Sequence, residues 1–164
     1  MRSHKRVKVG DIVSCRFPQE EAAGKPGLKQ RPCIVVGVSR GSIYRPPSIE
    51  VVFGTGVDKK KRGQQVRLHK EADLDLAGLI KPTNFILQKR ARVPLNSKFI
   101  ISNAEGDTAL GHLPQHMMDY VTGYLNAENT NVRDHARRYG RRQPEAPTWT
   151  NPSASTQNKE GTHA

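Results

Sequence analysis

Short apolar runs alternate with polar stretches rich in glycine and proline over the first hundred residues, which is the pattern of short β-strands. Val13, Cys15 and Phe17 alternate with polar neighbours and predict a half-buried strand. Residues 33–38 carry no charge and predict a strand that is buried on both faces. Further strands are predicted over residues 49–53, 64–69, 83–88 and 98–102, with a helical turn over 72–79.

The apolar period changes from two to that of a helix only after Leu113 and Pro114. The apolar positions that follow at helical spacing are Met117, Met118, Val121 and Leu125. They predict one amphipathic helix with Pro114 in its first turn. Because no helix long enough for a crossover lies between the strands, we expect antiparallel pairing. The predicted fold is mainly β with a C-terminal α-helix, an SH3-like, partly closed barrel.

The carboxy-terminal part of the chain differs in composition from the rest. Residues 128–164 are polar, end in a stretch rich in Ser, Thr and Asn, and are interrupted by Pro144, Pro147 and Pro152. Such a sequence lacks the apolar side chains needed to offset the entropy of ordering, which predicts a disordered basic and polar tail. Residues 1–127 are therefore expected to form a single folded domain.

The chain is strongly basic, with 27 Lys and Arg against 15 Asp and Glu and a net charge of +12. The tail holds six of the basic and four of the acidic residues, so +10 of the +12 lies in residues 1–127. A basic globular domain indicates a polyanionic partner, and nucleic acid is the first candidate. The alternative is a solvated basic surface with no dedicated ligand.

The sequence contains no segment expected to enter a membrane. No apolar run approaches the length of a membrane span, and the charged residues 1–8 precede no hydrophobic segment. We therefore expect a cytoplasmic protein without membrane contact.

Cysteine and histidine positions give no indication of a metal site. Cys15 and Cys33 are the only cysteines and each lies in a predicted strand, which favours buried thiols over a disulfide between neighbouring strands. His112 and His116 bracket Pro114, which interrupts the helical face that a zinc-binding pair needs. We expect no metal and no other cofactor.

Arg31 stands at the start of the apolar strand and directly before Pro32. Proline biases the preceding residue toward an extended conformation, so the guanidinium is presented at the rim of the strand, where its fork of donors suits a phosphate. The long polar loop over residues 18–30 is a candidate binding element. A surface arginine paired with an acid is the alternative interpretation.

Four segments, in order and spacing, resemble the PemK/MazF family of toxin endoribonucleases over about residues 7–126. They are Val9-Gly10-Asp11-Ile12-Val13, Gln30-Arg31-Pro32-Cys33-Ile34-Val35-Val36, Val51-Val52-Phe53-Gly54-Thr55 and Gly111-His112-Leu113-Pro114. The resemblance implies a homodimeric SH3-like barrel that cuts single-stranded RNA at short sequences without metal and is held inactive by a cognate antitoxin. It places the two active-site residues of the family on Arg31 and Thr55.

The chemistry of RNA agrees with these two residues, because the 2′-hydroxyl can itself attack the adjacent phosphate. Arg31 would stabilise charge on the phosphate and Thr55 would hydrogen-bond a nonbridging oxygen. RNA binding is assigned to Lys29, Gln30, Lys59, Lys60, Lys61 and Arg62. For the lysine-rich run, a merely solvated loop is the alternative.

The general acid and base are not assigned by the sequence. Some members of the family supply a carboxylate from the strand that corresponds to residues 78–82, and this chain has no acid there. Asp73, Asp75, His69 and Glu20 are possible substitutes. Two other classes of protein remain open: a noncatalytic nucleic-acid-binding SH3-like module, and a gyrase poison similar to the CcdB toxins, which share this fold.

Overall fold

A computed structural model describes residues 6–19, 24–56 and 64–138 of the chain. Within these residues the chain forms seven strands and two helices. The strands are β1 (Asp11–Cys15), β2 (Arg31–Ser39), β3 (Ser48–Thr55), β4 (Gln65–Leu68), β5 (Thr83–Pro94), β6 (Ile100–Ile101) and β7 (Ala109–His112). The helices are α1 (Glu71–Ala77) and α2 (Gln115–Arg138).

All seven strands belong to one antiparallel sheet with the order β4-β5-β3-β2-β1-β6. Strand β7 also pairs with β1. It contacts residues 11–13 of β1, whereas β6 contacts residues 14 and 15. The described pairings leave β4 at one end of the sheet and β6 at the other, so the sheet is open. The prediction of a mainly β fold with antiparallel strands and a C-terminal helix is confirmed.

The central strands are buried on both faces. Successive side chains of a strand point to opposite faces, and a separate core cluster covers each face. Val13, Cys33 and Val51 belong to a core cluster on one face of the sheet. Ile12 and Ile34 belong to a second cluster on the other face, which α2 covers. The two-sided burial predicted for residues 33–38 is confirmed for residues 33–35 and is wrong for residues 36–38, which are half-buried or exposed. The alternation predicted for β1 is confirmed at Val13, Ser14 and Cys15, which are buried, half-buried and buried, while Ile12 packs beneath the helix on the other face.

Helix α2 begins directly after Pro114, and its apolar stripe packs on the second cluster. The residues of this stripe are Met117, Met118, Val121, Tyr124 and Leu125. The helix continues to Arg138, past the boundary predicted at residue 128. No proline or glycine lies between residues 124 and 139, so nothing in the sequence interrupts the hydrogen bonds of the helix there. Contacts divide the chain into residues 1–126 and 127–164; the rest of the predicted tail, 139–164, lies outside the described residues.

Strand β5 is longer than the sequence pattern predicts and contains an irregularity. Val52 of β3 pairs with Arg90, whereas the next residue, Phe53, pairs with Ile86. Residues 87–89 are therefore additional residues on the β5 side, a β-bulge of the kind that often lies beside functional sites. The predicted strand ends at residue 88, whereas β5 continues beyond the bulge to Pro94.

Gly54 allows β3 to approach its neighbours closely. An added Cβ at this position would overlap the Pro32 carbonyl oxygen and the Phe85 ring. We expect Gly54→Ala to lower the free energy of unfolding by about 1–3 kcal/mol, because an overpacked strand must shift. Gly123→Ala is the control, since nothing lies within 4 Å of a Cβ at Gly123. Urea unfolding of both variants tests this, and a Gly54→Ala protein as stable as the unaltered chain would contradict the close approach.

Candidate nucleic-acid interface

A groove of about 810 Å³ lies where the β1–β2 loop meets strands β2, β3 and β5. The loop contributes residues 17–19, 24 and 27–29, and β5 contributes residues 88–92 from the bulge onward. Arg31 of β2 and Phe53 of β3 complete the lining. The bulge explains why β5 reaches the groove, because it adds three residues to the strand at the level of Phe53.

Two aromatic rings lie together in the groove. The ring centroids of Phe17 and Phe53 are 5.1 Å apart with an interplanar angle of 67°, an edge-to-face arrangement. The Arg31 Cζ atom lies 6.0 Å from the Phe53 centroid and the Lys89 Nζ atom lies 5.6 Å from it. Both cations are therefore within the range of a cation–π interaction, which holds positive charge beside an aromatic surface.

The charge of the groove has one sign. Its basic lining residues are Lys29, Arg31, Lys89, Arg90 and Arg92, and no Asp, Glu or His lines it among the residues that the structure describes. Arg90 forms an ion pair with Glu50 of 3.6 Å, and both side chains are about one-third exposed, so this pair is weak. A groove of cations and aromatic rings is suited to a single-stranded polyanion whose bases can stack.

Thr55 lies deeper than Arg31. The β2–β3 register pairs Cys33 with Phe53, and its extension by two residues places Arg31 opposite Thr55. Side chains at these positions share the face of the sheet that carries Phe53. Thr55 is only 5% exposed, is paired with Asn84 of β5, and does not line the groove. The structure brings Arg31 and Thr55 to neighbouring strands, with only the arginine open to the groove.

The other residues with an expected role in RNA binding differ in their positions. Lys29 is exposed and lines the groove. Gln30 is exposed but does not line the groove, and its side-chain oxygen accepts a hydrogen bond of 3.4 Å from the Ser14 hydroxyl. Lys59, Lys60, Lys61 and Arg62 lie outside the described residues.

None of the described candidates for proton transfer lies in the groove. His69, Asp73 and Asp75 belong to the segment from the end of β4 into α1 and are absent from the groove lining. Glu20 lies outside the described residues. The groove as described can bind and polarise a phosphate, but it offers no carboxylate or imidazole to move a proton.

A carboxylate–histidine pair exists at the opposite end of β1. The buried Asp11 accepts hydrogen bonds of 2.8 Å from the Lys8 backbone N–H and of 2.6 Å from His112 Nδ1. This hydrogen-bonded pair joins β1 to β7. Arg31 instead pairs with Cys15, at the other end of β1. His112 is consequently part of a structural contact and lies away from the groove.

Both cysteines are buried as free thiols beneath Arg31, as predicted. The Cys33 Sγ atom lies 3.6 Å from the Arg31 carbonyl oxygen and also hydrogen-bonds with Cys15. Burial raises the pKa of Cys33 well above its usual value, and the hydrogen bond with Cys33 lowers the pKa of Cys15. The described residues contain no group of three or more potential metal ligands.

We expect neither thiol to react with a disulfide reagent in the folded protein at neutral pH. Both are fully buried, and the raised pKa of Cys33 keeps it protonated. Titration with Ellman's reagent before and after unfolding tests this, with both thiols appearing only on unfolding. Rapid reaction of either thiol in the native protein would contradict the packing of β1 against β2.

The groove also contains residues outside the catalytic and RNA-binding sets predicted from the sequence, namely Phe17, Phe53 and residues 88–92. Phe17 was expected only as an inward-facing strand residue. Phe53 could have been assigned to the site from its position directly before Gly54 and Thr55. The residues of β5 could have been assigned from the cluster of Lys89, Arg90 and Arg92. The spacing alone could not show that a bulge brings this cluster to Arg31.

The described residues define a mainly β protein with an open antiparallel sheet, a C-terminal helix and a basic, aromatic-lined groove. No helix in the described part of the chain is long and apolar enough to cross a membrane. No known protein-family profile matches the chain, and no curated protein matches it.

Proposed function

We propose that this protein is an endoribonuclease that binds single-stranded RNA in the groove and cleaves it, in the manner implied by its resemblance to the PemK/MazF toxins. The observation that supports this most is the position of Arg31, whose guanidinium lies at the Phe53 ring in a groove lined by four other cations. A base stacked against the aromatic pair would bring its phosphate beside that guanidinium.

Cleavage in this proposal uses the 2′-hydroxyl of the RNA as the nucleophile. Its oxygen loses its proton to solvent water and attacks the adjacent phosphorus, and the bond to the 5′-oxygen of the next nucleotide breaks. The leaving 5′-oxygen takes up a proton from water, so the products end in a 2′,3′-cyclic phosphate and a 5′-hydroxyl. Arg31 stabilises the charge that develops on the nonbridging oxygens. Thr55 is buried and does not line the groove, so the hydrogen bond to a nonbridging oxygen that the resemblance implies stays a prediction.

Most of the rate acceleration comes from the alignment of the RNA in the groove and from the positive charge of Arg31. Holding the 2′-hydroxyl in line with the leaving oxygen supplies a large part of the acceleration in reactions of this kind. Arginine stays protonated near neutral pH and is a poor proton acceptor, so Arg31 is given no role as a base.

A noncatalytic RNA-binding protein is the second candidate. The observation that favours it is the lack of any Asp, Glu or His among the described residues of the groove. The same cations and rings would then bind RNA without cutting it. The two candidates differ in one measurable respect, because only the first produces new RNA ends.

The finer features implied by the resemblance belong to the same proposal. They are closure of the curved sheet toward an SH3-like barrel, a homodimer, inhibition by a cognate antitoxin and a cytoplasmic location. Leu76, Ile80 and Leu110 expose apolar surface on α1, on the segment after it and on β7, and burying such a patch would favour pairing of two chains.

Incubation of a long single-stranded RNA with the protein in EDTA tests the proposed activity. We expect discrete fragments with cyclic phosphate and 5′-hydroxyl ends, because attack by the 2′-hydroxyl requires no metal. A matched DNA strand lacks that hydroxyl and should stay intact. RNA that remains whole at high protein concentration while still being bound would establish the noncatalytic candidate instead.

A further inference from the structure

The tip of the β2–β3 hairpin exposes two apolar side chains side by side. Ile43 is 95% exposed and Tyr44 is 92% exposed, and both lie between the exposed Arg40 and Arg45. Neither apolar residue contributes to the core clusters of the sheet. An aromatic ring between two arginines is a combination found where proteins stack on nucleic-acid bases.

The hairpin tip is held in a defined conformation. Ser42 and Arg45 exchange two backbone hydrogen bonds, of 2.7 Å and 3.2 Å, and the Ser42 hydroxyl accepts one of 3.3 Å from the Tyr44 N–H. Gly41 has a φ of +78° and lies so close to the backbone of residues 45–47 that a Cβ would collide with it. These contacts order the backbone of the turn before a ligand binds, so binding at Tyr44 loses less conformational entropy.

The tip is connected to the groove through β5. Residues 88–92 line the groove, Arg92 pairs with Glu50, and two residues further along the ladder Pro94 pairs with Ser48 at the base of the hairpin. The Leu95 N–H also donates a hydrogen bond of 2.9 Å to the Pro47 carbonyl. The cations of β5 that line the groove thus belong to the strand that leads to the base of the hairpin.

The distance between the two sites sets the length of ligand that could reach both. Arg31 stands at one end of β2 and Ser39 at the other, which at about 3.3 Å per residue is a span of about 26 Å. A short RNA in the groove could not reach the tip, whereas a longer strand following the cations of β5 could.

From these observations we propose that the hairpin tip is a second contact for the same single-stranded RNA, in which Tyr44 stacks on a base outside the groove while Arg40 and Arg45 bind flanking phosphates. This inference rests on the proposed RNA-binding function of the groove. It extends that function by predicting that affinity depends on the length of the RNA.

The test measures binding of RNA that is 2′-O-methylated throughout and so cannot be cleaved by its own 2′-hydroxyl. Two lengths are compared, about three and about fifteen nucleotides, of which only the longer can extend from the groove to the tip. Tyr44→Ala should weaken binding of the long RNA by about tenfold, the usual effect of losing one stacked base, and leave binding of the short RNA unchanged. Tyr44→Phe, which keeps the ring, should bind both as the unaltered protein does.

Ile43→Ala is the matched control, since it removes an equally exposed apolar side chain that cannot stack. Equal binding of the long RNA by the Tyr44→Ala and unaltered proteins would overturn the inference, as would an equal loss for both lengths. A change in molar mass by light scattering on Tyr44→Ala would show instead that the tip contacts a second chain. If the unaltered protein binds neither RNA, the proposed function of the groove itself is wrong.

Discussion

Replacing Arg31 with alanine is expected to lower the single-turnover rate of RNA cleavage at saturating RNA by about 10²-fold or more. The reason is that the guanidinium acts on charge that appears only in the transition state. Binding should weaken only modestly, because Lys29, Lys89, Arg90 and Arg92 line the same groove and remain. The measurement is the cleavage rate at RNA concentrations well above the Kd of each variant.

Two control variants separate charge from geometry. Arg31→Lys keeps the positive charge but loses the planar fork, so it should recover part of the rate. Arg92→Ala removes a lining cation for which the structure records no contact with the Phe53 ring, and it should alter the Kd more than the rate. An Arg31→Ala protein that cuts RNA at the unaltered rate would remove Arg31 from the proposed site.

Neutralising the exposed cations of the groove should have the opposite effect. In the triple variant Lys29→Gln, Lys89→Gln and Arg92→Gln, we expect the affinity for single-stranded RNA to fall by at least about tenfold at moderate salt. The salt dependence should also become shallower, by about two in the slope of log K against log salt, because each lost phosphate contact removes about 0.7. Cleavage at saturating RNA should change far less than in Arg31→Ala.

The control for this variant carries the same change of charge elsewhere. Lys8, Lys70 and Lys98 are exposed and do not line the groove. Their replacement with glutamine should lower affinity only through the net charge and should leave the slope nearly unchanged. Equal losses in the two triple variants would mean that RNA binds to the general positive surface and has no dedicated groove.

The sheet and the terminal helix could be predicted because their patterns are local. The uninterrupted apolar run at residues 33–38 and the helical spacing after Pro114 each have one natural structural interpretation. The last residue of the predicted helical pattern is Leu125, because the residues that follow it are polar. Residues 127–138 contain no helix breaker, and α2 continues through them.

The extent of β5 could not be predicted from the sequence pattern. Its second half, from Gln88 onward, is basic and resembles a loop, but it continues as a strand because β3 offers a partner as far as Ser48. Pairing with a strand distant in sequence is a tertiary interaction that outweighs local preference. The short β7 was missed for the same reason, since it exists through its contact with β1.

The candidate site was predictable in its charges but not in its arrangement. Arg31 was placed at the rim of its strand by the proline that follows it, and it does face the groove. Phe53 lies in residues 51–55, one of the four segments that resemble the PemK/MazF family. Its contacts with Phe17 and Lys89, however, depend on the long loop and on the bulge. The burial of Thr55 depends on its pairing with Asn84, which no local pattern indicates.

The measurement that tests the central claim most directly is photocrosslinking of the protein to single-stranded RNA containing 4-thiouridine, with the crosslinked peptides identified by mass spectrometry. We predict crosslinks to peptides that contain Phe17, Phe53 or Lys89, and their loss in the triple-glutamine variant described above. Crosslinks confined to α2 or to the α1 side of the sheet, with none in the groove, would contradict the assignment of this groove as the RNA-binding site.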